Sequence, residues 1–218
     1  MNISKSNVKP VFQSPYINVV DLEYAPGAHY LDATRRNIDD IVAAKSDQEF
    51  MNLKPDAVTC IVILNGGSNP ELLLSDEYRY PTGQFILSPP AGLIDSQDKN
   101  DPNAIIGTAI REVQEETGLD LSKLEYRAEV VNRAVFSSPG MTDESNALVS
   151  ITIDSEIDDS ALSHEGACGS ECFSNFHRLS IKDARSIYKN GRDNKNRFYS
   201  VYTWVALVYF ISGLWKED

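Results

Sequence analysis

The chain has 218 residues, 42% of them hydrophobic and 24% charged, which suits one domain with an elaboration and a real buried core. Its 32 acidic against 20 basic side chains give a net charge of −12, which repels nucleic-acid backbones and argues against a nucleic-acid partner. A small phosphate substrate is repelled too, unless a bound cation and a few placed arginines reverse the local sign.

The N-terminal stretch to Pro10 lacks the apolar core of a secretory signal. Residues 16–24 and 29–35 read as strands flanking the turn Ala25-Pro26-Gly27-Ala28, a hairpin signal. Residues 38–50 fit a short helix or a loop. Val58 to Leu64 is a β-branched run that predicts a buried strand, residues 65–70 a turn, and Glu71 to Tyr78 the returning strand. Ile86 to Gly92 is a short segment stiffened by Pro89-Pro90. Asp101-Pro102 announces a helix, with Asp as N-cap and Pro at the first helical position; it runs through Thr117 and stops at Gly118.

Strands are expected at 126–136, 147–153 and 172–179, and helices at 180–189 and 198–215. The run from Tyr199 to Trp215 carries no charge, yet it is short of the roughly 20 apolar residues of a membrane span and contains Ser, Thr and Tyr. A buried terminal helix is the expectation, and no membrane partner. The mixture of elements lacks strict alternation, which argues for an α+β fold.

Cys60, Cys168 and Cys172 are too few for a disulfide framework, and the Cys168–Cys172 spacing lacks the second pair of a zinc site. They read as free thiols in a reducing cytoplasm. His29, His164 and His177 are scattered without ligand spacing and read as surface or packing residues. Ser137, Ser138 and Cys60 lack a His-Asp partnership that would make them nucleophiles.

The helix ending at Gly118 carries the chemistry. With Glu112 at zero on a wheel of about 100° per residue, Glu115 falls near −60° and Glu116 near +40°. Ile106, Ala109, Ile110, Val113 and Thr117 form an apolar stripe beside them, so the acidic face borders the buried one. Arg111 is placed to pair with Glu115 four residues on. Carboxylates at these spacings repel one another and, near a helix C-terminus, oppose the macrodipole. A hard divalent cation removes both costs, with Mg²⁺ or Mn²⁺ the natural candidates.

Arg111 to Leu119, reading Arg-Glu-Val-Gln-Glu-Glu-Thr-Gly-Leu, resembles the second half of the Nudix box, and Gly92 resembles the glycine that opens it. Pro90 to Asp95 is similar to the box entry of the ADP-ribose pyrophosphatase branch, and Ser138-Pro139-Gly140 to that branch's loop of the same sequence. The family box has thirteen residues between its Gly and its Arg; here Leu93 to Ile110 is eighteen. The excess falls in the polar stretch 96–102, so the first box glutamate has no clean counterpart; Asp98, Asp101 and Asn103 are the alternatives. A loop insertion before a helix costs little.

The resemblance implies a Nudix α/β/α sandwich with a mixed sheet at 56–218, preceded by an N-terminal antiparallel β subdomain at 1–55. It implies that Glu112, Glu115, Glu116 and the carbonyl of Ala91 hold Mg²⁺, and that Glu165 or Glu171 orients or deprotonates the water, Glu165 being preferred for its Gly-flanked context. Arg79 would contact phosphate. Tyr30 and Arg35 fall where the branch places an aromatic and an arginine, Tyr16 at a second aromatic position reached across a domain-swapped homodimer, and Glu144 at the ribose or metal water. The implied activity is Mg-dependent hydrolysis of ADP-ribose or a related nucleoside diphosphate sugar. A dinucleotide or GDP-sugar substrate, or a non-catalytic ADP-ribose-binding module, are the alternatives.

Overall fold

The computed structural model describes residues 3–95 and 101–216 and divides into two compact units. The first unit comprises Met1–Asp56 with Arg133–Asn146, the second Ala57–Asn132 with Ala147–Asp218.

The first unit holds a three-stranded antiparallel sheet of β1 (Val8–Gln13), β2 (Asn18–Ala25) and β3 (Ala28–Thr34), in that order. The expected hairpin is β2–β3, turning at Pro26-Gly27 with Gly27 at φ 71°, a backbone that favours glycine. Strand β1 was not expected from the sequence. Pro10 cannot donate to a ladder, and the pairing with β2 slips between Pro10 and Phe12, so the pattern is broken where it would have been read. Val20, Leu22 and Ile41 make a small core. After two single turns, α1 (Asp47–Met51) starts at Ser46, whose hydroxyl accepts from Glu49 N–H while the Glu49 carboxylate accepts from Ser46 N–H. The segment 133–146 is tied down within this unit: Ala33 N–H donates to Met141 O (2.9 Å), and Val42 N–H to Asp143 Oδ2 (3.0 Å).

The second unit is built on a sheet ordered β10-β5-β4-β9-β8, with β6 paired to β5 and β7 to β4. These are β4 (Ala57–Leu64), β5 (Glu71–Arg79), β6 (Gln84–Ser88), β7 (Ala91–Leu93), β8 (Tyr126–Phe136), β9 (Ser145–Ile153) and β10 (Phe173–Ser180). Every residue of β4 is buried, and its side chains alternate between two cores. Val58, Cys60, Val62 and Leu64 join Ile105, Ala109 and Val113 of α2 (Ala104–Thr117) on one face. Ile61 and Ile63 join Ala184 and Ile187 of α3 (Ile181–Asn190) and Ala206, Leu207 and Phe210 of α4 (Val201–Ser212) on the other. The period of two thus sandwiches the sheet between helices, the α/β/α arrangement within an α+β chain that the sequence suggested. Helix α4 is 12 residues long, and among the described residues no helix is long and apolar enough to cross a membrane.

Helix α2 begins later than Asp101-Pro102 suggested. Asp101 Oδ1 accepts from Asn103 N–H (2.8 Å), making a separate turn, and Asn103 rather than Asp101 stands at the cap, without a side-chain capping bond. The C-terminus is as expected: Gly118, at φ 76°, donates to Gln114 O (2.9 Å).

Candidate active site

The buried arc of α2 contains Ala109, Val113 and Thr117 of the stripe that the wheel suggested, with Ile106 and Ile110 packed at its edge, and is wider than that stripe. Ile106 and Ile110 are half-buried, whereas Ile105, Thr108, Ala109, Glu112, Val113, Glu116 and Thr117 are buried. On the same wheel these span about −40° to +140°, so Glu116, near +40°, sits at the middle of the face pressed onto the sheet. The two glutamates do more than border the core; each is only 4% exposed.

Burying them required close approach of the backbone opposite. A Cβ on Gly92 in β7 would overlap the Glu112 carboxylate, so the carboxylate can keep this position only against a glycine. The neighbouring Ala91 N–H points to Glu116 Oε1 at 3.4 Å, which sets the residue expected to supply a carbonyl ligand against the helix. Glu77 of β5 and Glu171, from the loop before β10, complete the acidic group. Oxygens of Glu112, Glu116 and Glu171 all lie within 4.8 Å of one another. Glu171 also accepts from Cys168 N–H (2.8 Å), which fixes its side chain.

Two guanidiniums face these acids. Arg111 bridges Glu112 (2.7 Å) and Glu115 (2.8 Å), the second as expected, and Arg79 pairs with Glu77 (2.7 Å). Five carboxylates, those of Glu77, Glu112, Glu115, Glu116 and Glu171, are therefore set against two arginines among the described residues. The consequence appears in proton affinity. Burial, then the neighbouring Glu77, push Glu116 up to about 9, with Glu112 and Glu171 adding to the rise against the Ala91 N–H. Burial also raises Glu112 and Glu77 above the ordinary carboxylate value, although Arg111 and Arg79 oppose it. Such a site either holds protons or holds a cation. An all-oxygen donor set fits Mg²⁺ or Mn²⁺, and the shortage of internal cations is what a divalent ion would relieve.

The remaining candidates are distributed as follows. Glu115 is half-buried and engaged by Arg111, beside the three-carboxylate group. Glu165 is exposed and lies outside that group, whereas Glu171 lies in it, the reverse of the order its Gly-flanked context suggested. The physical reason is that the loop is folded against α2: a Cβ on Gly166 would come within 2.5 Å of Glu115 O. In the first unit, Arg35 Nε donates to Glu144 Oε2 (2.6 Å), Tyr30 Oη donates to Gly140 O (2.7 Å), and Tyr16 is 79% exposed. Of the alternatives for the first box glutamate, Asp98 lies outside the described residues, and Asp101 and Asn103 are exposed at the start of α2.

Sequence reasoning missed Glu77 and the loop anchor His164. Glu77 had a signal: an acid two residues from Ser75 and next to Asp76 in a strand flanked by buried Leu72, Leu73 and Leu74 has little room on a solvated face. Cys60 is buried, its thiol pushed well up by burial, which suits packing rather than catalysis. All three cysteines are free.

The NUDIX domain family matches residues 53–200. Nudix hydrolase 14, chloroplastic, of Arabidopsis thaliana is 35% identical over 94 residues, which are 40% of this chain and 29% of that protein. The ADP-ribose pyrophosphatase of Saccharomyces cerevisiae is 31% identical over 103 residues, 45% of this chain and 39% of that one. In each case the chain spans less than half the length of the curated relative it matches. The crystal structure of an ADP compounds hydrolase shares the fold at 16% identity and a TM-score of 0.53, covering 98% of this chain and 96% of that one. With the family match spanning the sheet, the acidic helix and the loop that completes its carboxylate group, this chain belongs to the Nudix domain family.

Proposed function

We propose that the chain is a divalent-metal-dependent pyrophosphohydrolase that cleaves ADP-ribose, or a related nucleoside diphosphate sugar, to a nucleoside monophosphate and a sugar phosphate. The observation that carries this reading is the buried, cation-poor group of Glu112, Glu116 and Glu171 on a Nudix-type helix. Glu112, Glu115, Glu116 and the Ala91 carbonyl are assigned to hold Mg²⁺, with Mn²⁺ as a substitute. A bound divalent ion would neutralise the pyrophosphate oxygens and lower the proton affinity of water nearby.

The chain's own residues have separable tasks. Arg111 fixes Glu112 and Glu115 relative to each other, and Gly92 makes room for the Glu112 carboxylate. Glu171 is the carboxylate assigned to take the proton from the attacking water, because its oxygen already approaches Glu112 and Glu116; Glu165 is the alternative. Arg79, half exposed beside Glu77, is assigned to a substrate phosphate. In the first unit Tyr16, Tyr30, Arg35 and Glu144 are assigned to the nucleoside and ribose. The ADP-ribose pyrophosphatase name of the yeast relative supports this substrate class. Exposed Val11, Phe12, Tyr16, Ile17 and Leu31 support self-association of that unit as a homodimer.

The test is hydrolysis of ADP-ribose with Mg²⁺, read as inorganic phosphate after added phosphatase, which acts on the products and not on the intact diester. Release that requires both metal and enzyme is expected. No turnover at micromolar enzyme, for ADP-ribose and for a panel of nucleoside diphosphate sugars, would sink the reading.

A further inference from the structure

The loop that carries Glu171 is moored to the acidic helix at one side chain. Ser163 N–H donates to Thr117 O (2.9 Å), and Gly166 presses against the Glu115 backbone. Between them, His164 Nδ1 lies 2.7 Å from the carbonyl oxygen of Glu116. A carbonyl only accepts, so Nδ1 carries the hydrogen and Nε2 is left as an acceptor. The ring lies nearly flat on Phe176 (centroids 3.8 Å apart, 20°) and on Phe173 (5.0 Å, 14°). Phe173 follows Glu171 by two residues, and the two phenylalanines bracket the point where β10 slips register against β5. The imidazole therefore touches three things: the backbone of Glu116, Phe173 at the end of the loop beside Glu171, and Phe176 further along β10.

Packing alone does not account for a histidine here. Nε2 is buried with no hydrogen-bond partner among the described residues, a cost of about 1–3 kcal/mol that a phenylalanine in the same slot avoids. What a phenylalanine lacks is the Nδ1–H directed at Glu116 O. We propose that His164 is a positioning residue, which holds the Glu171 carboxylate in register with Glu112 and Glu116 by hydrogen-bonding the Glu116 carbonyl while its ring clamps Phe173 and Phe176. This rests on the metal-site reading of the three glutamates, but not on the identity of the substrate.

The test uses Mn²⁺ affinity of the full chain, read by the loss of free-ion paramagnetic resonance signal, together with melting temperature. His164→Phe keeps the stack and discards the donor; His164→Asn keeps an N–H near the Nδ1 position and discards the stack. His164→Phe is expected to melt at or above the wild-type temperature yet bind Mn²⁺ about 10-fold more weakly, the range for removing a group that orients metal ligands. His164→Asn should recover part of that affinity. In a Glu171→Gln background, where the oriented carboxylate is gone, His164→Phe should change Mn²⁺ affinity less than about 2-fold. Wild-type affinity in His164→Phe, or an equal loss in both backgrounds, overturns the proposal. If no nucleotide sugar is hydrolysed but these affinities behave as stated, the positioning role stands and the proposed substrate falls.

Discussion

Asp76 and Glu77 are consecutive on β5, both buried, and face opposite sides of the sheet because side chains alternate. Their surroundings are opposite as well. Asp76, on the α3–α4 side, is met by Lys195 Nζ (2.7 Å), Arg197 (2.5 Å), His177 Nε2 (3.1 Å) and Asn175 Nδ2 (3.1 Å). Burial alone would raise its pKa, but the hydrogen bonds from Lys195, Asn175 and Arg197 outweigh this and hold it well below the usual carboxylate range. Glu77, on the α2 side, has Arg79 as its cation and the Ser88 hydroxyl beside it, and looks onto Glu116, whose proton affinity it raises, and Glu171. A buried acid that the fold neutralises holds the fold together; a buried acid that it leaves short of cations is arranged for a charge from outside. One strand shows both solutions side by side.

The largest expected effect comes from removing the charge that the fold leaves uncompensated. Glu116→Gln should lower turnover by about 10²–10³-fold, or roughly 3–4 kcal/mol of activation free energy. Its stability should move the other way. Glu116 is raised from 4.5 to about 9 in the folded state, so its contribution to stability is fully present below about 4.5 and lost as pH rises through about 9. Without metal at pH 8, the Gln variant should therefore melt at or above the wild type, and added Mg²⁺ should raise only the wild type. A variant that melts well below wild type without metal would show that the carboxylate is structural, like Asp76.

Asp76→Asn sharpens the contrast from the other side of the sheet. It strands Lys195 and Arg197 beside a neutral group, and breaking a buried ion pair of this kind costs about 2–4 kcal/mol. Asp76 is depressed, so the stability it supplies is present above its ordinary value of 3.8 and lost as pH falls through the lower folded value. The destabilisation should be full at pH 7 and shrink in acid, by denaturant melts at both. Turnover per folded molecule should stay within about 3-fold of wild type, far below the effect at Glu116. A loss of turnover matching that of Glu116→Gln would mean that the two faces are not separate.

The fold around α2 was largely legible before the structure was known, whereas the contrast between Asp76 and Glu77 was not, and the missing parts have common causes. The buried strand at Val58 to Leu64, the return at Glu71 and the stop of α2 at Gly118 follow from β-branched runs, turn residues and a left-handed glycine, all local signals. The Arg111–Glu115 pair follows from helical spacing alone. What could not be read is set by partners distant in sequence. Ile106 and Ile110 look as apolar as Ile105, and the room that Gly92 leaves for the Glu112 carboxylate, which lets it turn inward, lies on a strand distant in sequence. On paper Glu165 is preferred over Glu171 for its Gly-flanked context; the mooring of the loop by Gly166 and His164 to α2 instead leaves Glu171 beside Glu112 and Glu116. Strand β1 was hidden by Pro10, and the turn at Asp101 by a side chain that bonds two residues on instead of capping the helix.

The smallest effect tests whether a shortage of cations is enough to make a site. In the first unit, Asp32 is 7% exposed and is raised to about 6 by burial and by Asp143, against a hydrogen bond from the Asp143 N–H. Asp32 Oδ2 and Asp143 Oδ1 are both buried without a hydrogen-bond partner among the described residues. Here there are two carboxyls instead of five, and the raised proton affinity of Asp32 relieves their repulsion without an ion. The raised value means that Asp32 supplies stability below about 3.8 that is lost as pH rises through about 6. Asp32→Asn keeps the shape without the charge, so it should remove this slope and gain about 1–2 kcal/mol at pH 8 relative to pH 4, less than the roughly 3 kcal/mol to which the full shift from 3.8 to about 6 corresponds. Combined with Glu116→Gln, it should leave melting at pH 8 indifferent to Mg²⁺. A Mg²⁺-dependent rise that persists in Glu116→Gln and disappears only when Asp32 is also neutralised would place an ion in the first unit; the number of carboxylates would then not be what separates a proton-holding pair from a metal-holding group.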